Sequence, residues 1–248
     1  MKKSTTSSRV NKGFTLIELL VVIAIIGILA AMLLTGISTM KIIAQKTRAS
    51  MEISQIVSAI NKYEADYNRF PIARAAMNSA VANNDDDFTY GGTLQRPPGW
   101  FYDVQASGAY KTNNSEIMAV LLSLDAGVNA GHVMNTKRTQ LLSAKMTSDV
   151  YAPGVGPDGV YRDPWGNPYI ITIDANNDGK ARDAFYQLSS VSTGGINGLI
   201  KTVLPNSNTV VYEVNSPVAV WSAGPDRMVD ATSLANKGAN KDNVVSWK

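Results

Sequence analysis

Gly13-Phe14-Thr15-Leu16-Ile17-Glu18 opens a run, Leu19 to Met40, that carries no charged residue. A bilayer core is crossed by about 20 apolar residues in a helix, and this run is longer. Its Leu, Ala and Met are strong helix formers. Its Ile and Val cost little in lipid, where the backbone must satisfy its own hydrogen bonds. Gly27 and Gly36 lie inside it, as transmembrane helices tolerate and as close helix packing requires. Glu18 is the one charge between Lys12 and Lys41. A carboxylate at the head of an apolar helix is expensive in lipid and asks for a partner, although the first-turn macrodipole also favours it there.

Upstream, residues 1–13 are short and polar, with Lys2, Lys3, Arg9 and Lys12 and no acid. That excess of positive charge predicts a cytoplasmic N-terminus and a body carried across the membrane. Downstream, Ile42, Ile43, Met51, Ile53, Ile56, Val57, Ile60, Tyr63 and Tyr67 recur mainly at three- and four-residue spacings, with Lys46, Arg48, Glu52, Lys62 and Glu64 on the other face. No Gly or Pro interrupts Ile37 to Phe70, and Pro71 discourages continuation. The pattern predicts one helix from Phe14 to about Asn68, membrane-embedded over 14–40 and amphipathic over 41–68.

The formal charge of +3 over 248 residues is misleading. Without the four basic residues of 1–13, 19 basic residues face 20 acidic ones, a net charge of −1. With no dense Lys/Arg stripe interleaved with aromatics, nucleic acid is not an expected partner. Cysteine is absent, so no disulfide staples the body, and the single His132 excludes a multi-histidine metal site.

Gly13-Phe14-Thr15-Leu16-Ile17-Glu18-Leu19-Leu20, followed by Val21-Val22-Ile23-Ala24-Ile25-Ile26-Gly27-Ile28-Leu29, resembles the processing and assembly segment of type IV pilins and type II secretion pseudopilins. The resemblance covers about the first quarter of the chain and implies an α+β, type IV pilin-like fold: a long N-terminal helix on a small antiparallel sheet. It also implies cleavage by a prepilin peptidase between Gly13 and Phe14 and N-methylation of Phe14. Glu18 would pair with the N-terminal amine of a neighbouring subunit. A second match lies far away, at Asp163-Pro164-Trp165-Gly166-Asn167-Pro168-Tyr169. It resembles the loop leading into the sheet of major pseudopilins, and physically it is a turn with fixed φ at its prolines.

Residues 69–160 form a variable region of helices and loops. A short helix is expected over 72–82, a turn at Asn83-Asn84-Asp85-Asp86-Asp87 and irregular chain from Thr89 to Trp100. Glu116 to Leu124 reads as a helix capped by Asn114 or Ser115, and Thr136 to Lys145 as a weaker helix. In 161–248, strands are expected at Tyr169–Ile173, Ala184–Ser189, Thr209–Val214 and Val218–Ser222, with Val191–Leu204 as loop.

Two acidic loops are calcium candidates. Trp221-Ser222-Ala223-Gly224-Pro225-Asp226 with Asp230 and Asp242 resembles the C-terminal calcium loop of major pseudopilins, which implies Ca2+ on Asp226, Asp230 and Asp242. Asp174-Ala175-Asn176-Asn177-Asp178-Gly179 matches the opening of an EF-hand loop, with Phe185 at the twelfth place instead of glutamate. Asp174, Asn176 and Asp178 form the weaker candidate, since any hairpin tip favours these residues.

The reading that results is a structural subunit rather than an enzyme. It would be a type II secretion pseudopilin, packed by its helix into a homo-oligomeric filament. Its implied partners are prepilin peptidase, an inner-membrane assembly platform and minor pseudopilins. Before assembly it would be a single-pass inner-membrane protein with a periplasmic body. The alternatives are a type IV pilus pilin and, in another class, a membrane-anchored enzyme or binding module. No nucleophile–base pair, phosphate loop or paired-carboxylate motif supports the last.

Overall fold

The apolar run and the amphipathic run form one element, helix α1 (Leu16–Tyr67). A computed structural model describes residues 13–82, 87–96, 99–104, 110–204 and 208–247. Residues 1–12 of the expected leader and residues 83–86 of the turn expected over Asn83 to Asp87 lie outside the described residues; Asp87 itself is buried strand rather than turn. The chain divides between Ile43 and Ala44 into two compact units.

In the first unit, α1 is apolar on every side. Leu16, Ile17, Leu19, Leu20, Ile23, Ile26 and Met32 are all more than half exposed. Among the described residues, no helix is long and apolar enough to cross a membrane. The side chains at 33–36 and 38 are outside the description, leaving Leu16 to Met32 as the continuous described stretch. At 1.5 Å per residue that is about 25 Å, short of the roughly 30 Å hydrocarbon core. The span expected over 14–40 is therefore not met by the described residues taken alone.

In the second unit, α1 buries a stripe. Ala49, Ile53, Ile56, Ile60 and Tyr63 are buried, at the three-, four- and seven-residue spacings of one helical face. Ile42, Ile43 and Met51, expected on that face, are exposed. Helix α2 (Arg74–Ala82) follows.

A four-stranded antiparallel sheet, in the order β1 (Asp87–Tyr90), β6 (Ile170–Asp174), β9 (Val218–Ser222), β10 (Val244–Val245), packs on the stripe. Strand alternation divides its residues between two cores. Phe88, Tyr90, Ile171, Ile173, Val218 and Val220 join α1, α2 and α3 (Ser115–Leu121). Ile170, Ala219 and Trp221 face the other way, with Phe185, Tyr186, Val214 and Val229. That second core is covered by loops and by the hairpins β2 (Gly92–Arg96)–β3 (Trp100–Val104) and β7 (Ile200–Val203)–β8 (Val210–Glu213). A short pair, β4 (Gly154–Val155) and β5 (Tyr161–Arg162), completes the body.

The structure corrects several expectations, each for a local reason. Residues 136–145 are not helical. The chain there is irregular, and buried Asn135 satisfies it by donating to the carbonyls of Val120 and Thr139. Residues 184–189 are turns, because the buried Asp183 carboxylate accepts the N–H groups of Phe185 and Tyr186 and curls the chain. Thr89 to Trp100, expected irregular, supplies β1 and β2. Val191–Leu204, expected as loop, contains β7. Asn114 does stand at the start of α3, but its side chain does not cap it. It donates instead to the carbonyls of Tyr161 and Tyr169 and accepts from the N–H of Tyr161, tying β5 to the approach of β6.

Candidate functional site

The expected cleavage point lies just before α1. A Cβ placed on Gly13 would meet nothing within 4 Å among the described residues. Phe14 is 82% exposed.

Glu18 has a partner that the sequence reading missed. The Thr15 hydroxyl accepts from the Glu18 N–H at 3.3 Å, and Glu18 Oε2 accepts the Thr15 N–H at 2.8 Å and the Thr15 hydroxyl at 2.6 Å. This is a capping box, in which residues three apart satisfy each other's open donors at a helix start. The signal was present in the sequence as Thr-x-x-Glu before an apolar run. Among the described residues the bonds to this carboxylate fall on Oε2, so Oε1 can take a further donor. The helix thus holds the carboxylate in a fixed place at its mouth.

The second family-like segment is a buried knot centred on Asp163. Asp163 Oδ1 accepts the N–H groups of Trp165 and Asn167, and Oδ2 accepts Asn167 Nδ2 and the Ser222 hydroxyl. Burial pushes its carboxyl up, and the four donors oppose the shift. Gly166 sits at φ +92°, and a Cβ there would lie 2.7 Å from the Tyr151 carbonyl oxygen, so only glycine fits. Gln45 of α1 donates to the Pro164 carbonyl at 3.3 Å, and Trp165 is buried beside it in sequence. The loop therefore links α1 to β9 through Ser222.

The calcium candidates are arranged unequally. Among the described residues, no group of three or more His, Cys, Asp or Glu side chains gathers as a metal site. Asp230 caps its own turn, accepting from the Thr232 N–H and hydroxyl and from the Ser233 hydroxyl. Asp226 and Asp242 lie close enough for the Asp242 charge to reinforce the upward push of burial on Asp226. Among the described residues, Asp242 Oδ1 is out of solvent with no hydrogen-bond partner. Beside them, a Cβ on Gly224 would fall 2.5 Å from the Asp242 carbonyl oxygen, so the backbones here meet as closely as glycine allows. Asp226 also caps its own turn, its Oδ1 accepting the Met228 N–H at 2.9 Å, so Asp226 and Asp242 stand as a carboxylate pair and the expected set of three with Asp230 is not gathered among the described residues.

In the weaker loop, Asp174 accepts the N–H groups of Asn177 and Gly179, Asn176 accepts that of Asp178, and Asp178 accepts that of Lys180. These oxygens are occupied by the loop's own backbone, the behaviour of Asx turns.

The part of Asn240 in holding the tail was not legible in the sequence. Asn240, 1% exposed, donates to the carbonyls of Asp230 and Ser233 and accepts the Asp230 N–H. Tyr186 stands edge-on to both Trp221 and Trp247, at 5.3 and 5.1 Å between ring centres.

Comparison with known proteins agrees with this geometry. Residues 8–34 match the family of the prokaryotic N-terminal methylation motif. The chain is 32% identical over 122 residues to the type IV wide pilus major component PilA4 of Thermus thermophilus, covering 42% of this chain and 89% of that one. It is 32% identical over 95 residues to type II secretion system core protein G of Aeromonas hydrophila, covering 36% of this chain and 66% of that one. It is 34% identical over 71 residues to core protein G of Pectobacterium carotovorum, covering 29% and 46%. The chain thus spans about half to two thirds of the length of these core protein G relatives. No solved structure matches it significantly. The chain belongs to the family of type IV pilins and pseudopilins, a class of cell-envelope proteins that carry the methylation motif.

Proposed function

We propose that this protein is a structural subunit of a type II secretion pseudopilus. The observation that carries the reading is α1 from Leu16 to Met32, whose large apolar side chains stand exposed among the described residues. Such a surface belongs in lipid or against other helices. The full uncharged run from Leu19 to Met40 spans the inner membrane, with the N-terminus cytoplasmic and the body periplasmic. Prepilin peptidase cuts between Gly13 and Phe14 and methylates Phe14. The capping box fixes Glu18, whose Oε1 then receives the Phe14 amine of a neighbour, which offsets the cost of a carboxylate among apolar helices. An inner-membrane assembly platform and minor pseudopilins are the further partners. The chemistry is assembly rather than catalysis.

Mass spectrometry of the mature protein tests processing: a start at methylated Phe14 is expected, and any other start refutes it. Glu18→Ala should be cut normally and enter filaments at less than about a tenth of the wild-type yield, the loss expected when one charge of a buried pair is left alone. Normal incorporation by crosslinking would sink the pairing.

The Thermus relative, matched over 89% of its length, favours a second reading, a type IV pilus pilin. Deleting the gene separates the two. Loss of a secreted protein with surface pili intact supports the pseudopilus, and loss of pili with secretion intact supports the pilus. A calcium ion on Asp226 and Asp242, completed by backbone carbonyls and water, would close the C-terminal loop in either case.

A further inference from the structure

Beside the Asp163 knot, in the second unit, lies a cavity of about 370 Å3, within the range of specific binding pockets. Among the described residues its lining holds two cations and no acid. The cations are not equivalent. Arg162 is spent on Asp158, with Nη2 2.5 Å from Oδ2 and Nη1 3.0 Å from Oδ1. Arg227 is exposed and makes no ion pair among the described residues. Asn167 belongs to the knot and is 6% exposed. Its Nδ2 donates to Asp163 and to the Gly224 carbonyl, while its Oδ1 accepts nothing from the described residues and is not sealed from solvent. Exposed Gln95 and Tyr151 add an amide and a hydroxyl that bond to no described group. Two aromatic side chains, Phe101 (70% exposed) and Tyr151 (82% exposed), complete the wall.

We infer that this cavity binds a sugar acid, a six-membered ring that carries several hydroxyls and one carboxylate. Three features select it. Arg227, unopposed in an acid-free lining, calls for an anion, and a guanidinium receives a planar carboxylate on two N–H groups. Asn167 Oδ1 calls for a donor, and the positive lining repels an ammonium, so that donor is a neutral group. The Gln95 amide and the Tyr151 hydroxyl each donate and accept, which hydroxyl groups match in either sense. The exposed aromatic faces suit the carbon face of a ring, and a rigid ring loses less freedom on binding than a flexible chain. The inference does not depend on the filament reading, since the cavity lies wholly within residues 92–227 of the body.

The test uses the full chain, labelled with nitrogen-15, in micelles of a detergent that has no sugar headgroup. The backbone N–H of Gly166 lines the cavity and reports binding, whereas that of Ala219, fully buried in β9, reports folding. The probes are glucuronate, glucose, which keeps the ring and hydroxyls without the carboxylate, and cyclohexanecarboxylate, which keeps the ring and carboxylate without the hydroxyls. N-acetyl-phenylalanine stands for the carboxylate end of a peptide. Glucuronate should move the Gly166 signal with an affinity about tenfold above that of each other probe, the ratio that about 1.4 kcal/mol gives. Arg227→Gln should lower glucuronate to the level of glucose with the Ala219 signal in place, and Tyr151→Ala should weaken both sugars. Glucose binding as tightly as glucuronate, cyclohexanecarboxylate or N-acetyl-phenylalanine binding as tightly or more so, or no movement of Gly166 with any probe overturns the proposal. So does glucuronate binding that both variants leave untouched. If Arg227→Gln disturbs Ala219, the contrast among the four probes in the wild-type chain decides alone.

Discussion

One helix runs through two environments. Before Ile43, its large apolar residues stand exposed: Ile25 is 52% accessible and Ile28 60%. After Ala44, Ile53, Ile56 and Ile60 of the same helix are buried against the sheet, while Met51 stays exposed. The backbone is helical in both, so local propensity does not separate them. What differs is periodicity. The second stretch confines its apolar residues to one face and finds cover in its own chain. The first puts them on every face and leaves them exposed among the described residues.

The sharpest test of that difference is a matched pair of truncations. Ile60→Ala removes buried carbon from a packed core and should cost about 2–5 kcal/mol of body stability. Ile25→Ala should leave the melting of the body unchanged and weaken filament incorporation instead. Denaturant unfolding of each variant checks this, and equal destabilisation by the two would break the contrast.

Next in size is the Asp163 knot, which ties α1 to β9. Asp163→Ala strands two backbone N–H groups, the Asn167 amide and the Ser222 hydroxyl in a buried place. Stranded buried donors cost about 1–3 kcal/mol each where water cannot reach them, so a loss of several kcal/mol in urea unfolding is expected. A loss under about 0.5 kcal/mol, the range of ordinary surface substitutions, would show that the loop is held by Trp165 and its prolines instead.

Asp87 gives the body a pH dependence. It is 5% exposed, and burial, reinforced by the charges of Asp174 and Asp178, pushes its carboxyl up to about 7 from 3.8. The folded form keeps its proton where the unfolded chain has lost it. Stability from this group is therefore present below about pH 4, falls as pH rises to about 7 and is flat beyond, by at most about 4 kcal/mol. Asp87→Asn should flatten part of the slope between pH 4 and 7. An unchanged slope would mean that the carboxylate is ionised in the fold, held by the Ala175 and Arg182 N–H groups.

Calcium should have the smallest effect, because Asn240 and the Tyr186–Trp247 contact already hold the tail. A Tm rise of roughly 2–4 °C in millimolar calcium over chelator is expected, the shift that about 1 kcal/mol gives a domain of this size. Asp226→Asn should remove it, and Asp178→Asn and Asp230→Asn should not. A calcium shift that survives Asp226→Asn and disappears with Asp178→Asn would move the ion to the Asp174 loop.

The residues from Gly13 to Met40 made the family and the first part of α1 legible, because chain-local rules decide them: apolar length and a short motif. The turn from Asp163 to Tyr169 and strands β6, β8 and β9 were legible for the same reason, as fixed backbone angles and alternating apolar residues. The tertiary structure alone decided which polar residues carry the body. Asn114, Asn135, Asp183 and Asn240 look like ordinary turn and cap residues in the sequence. Each proved to be buried and to satisfy backbone groups of irregular chain, for Asn114 nearly 50 residues away. That choice follows from the unsatisfied N–H and C=O groups that each buried loop leaves behind, and those groups are defined only once distant segments have been brought together.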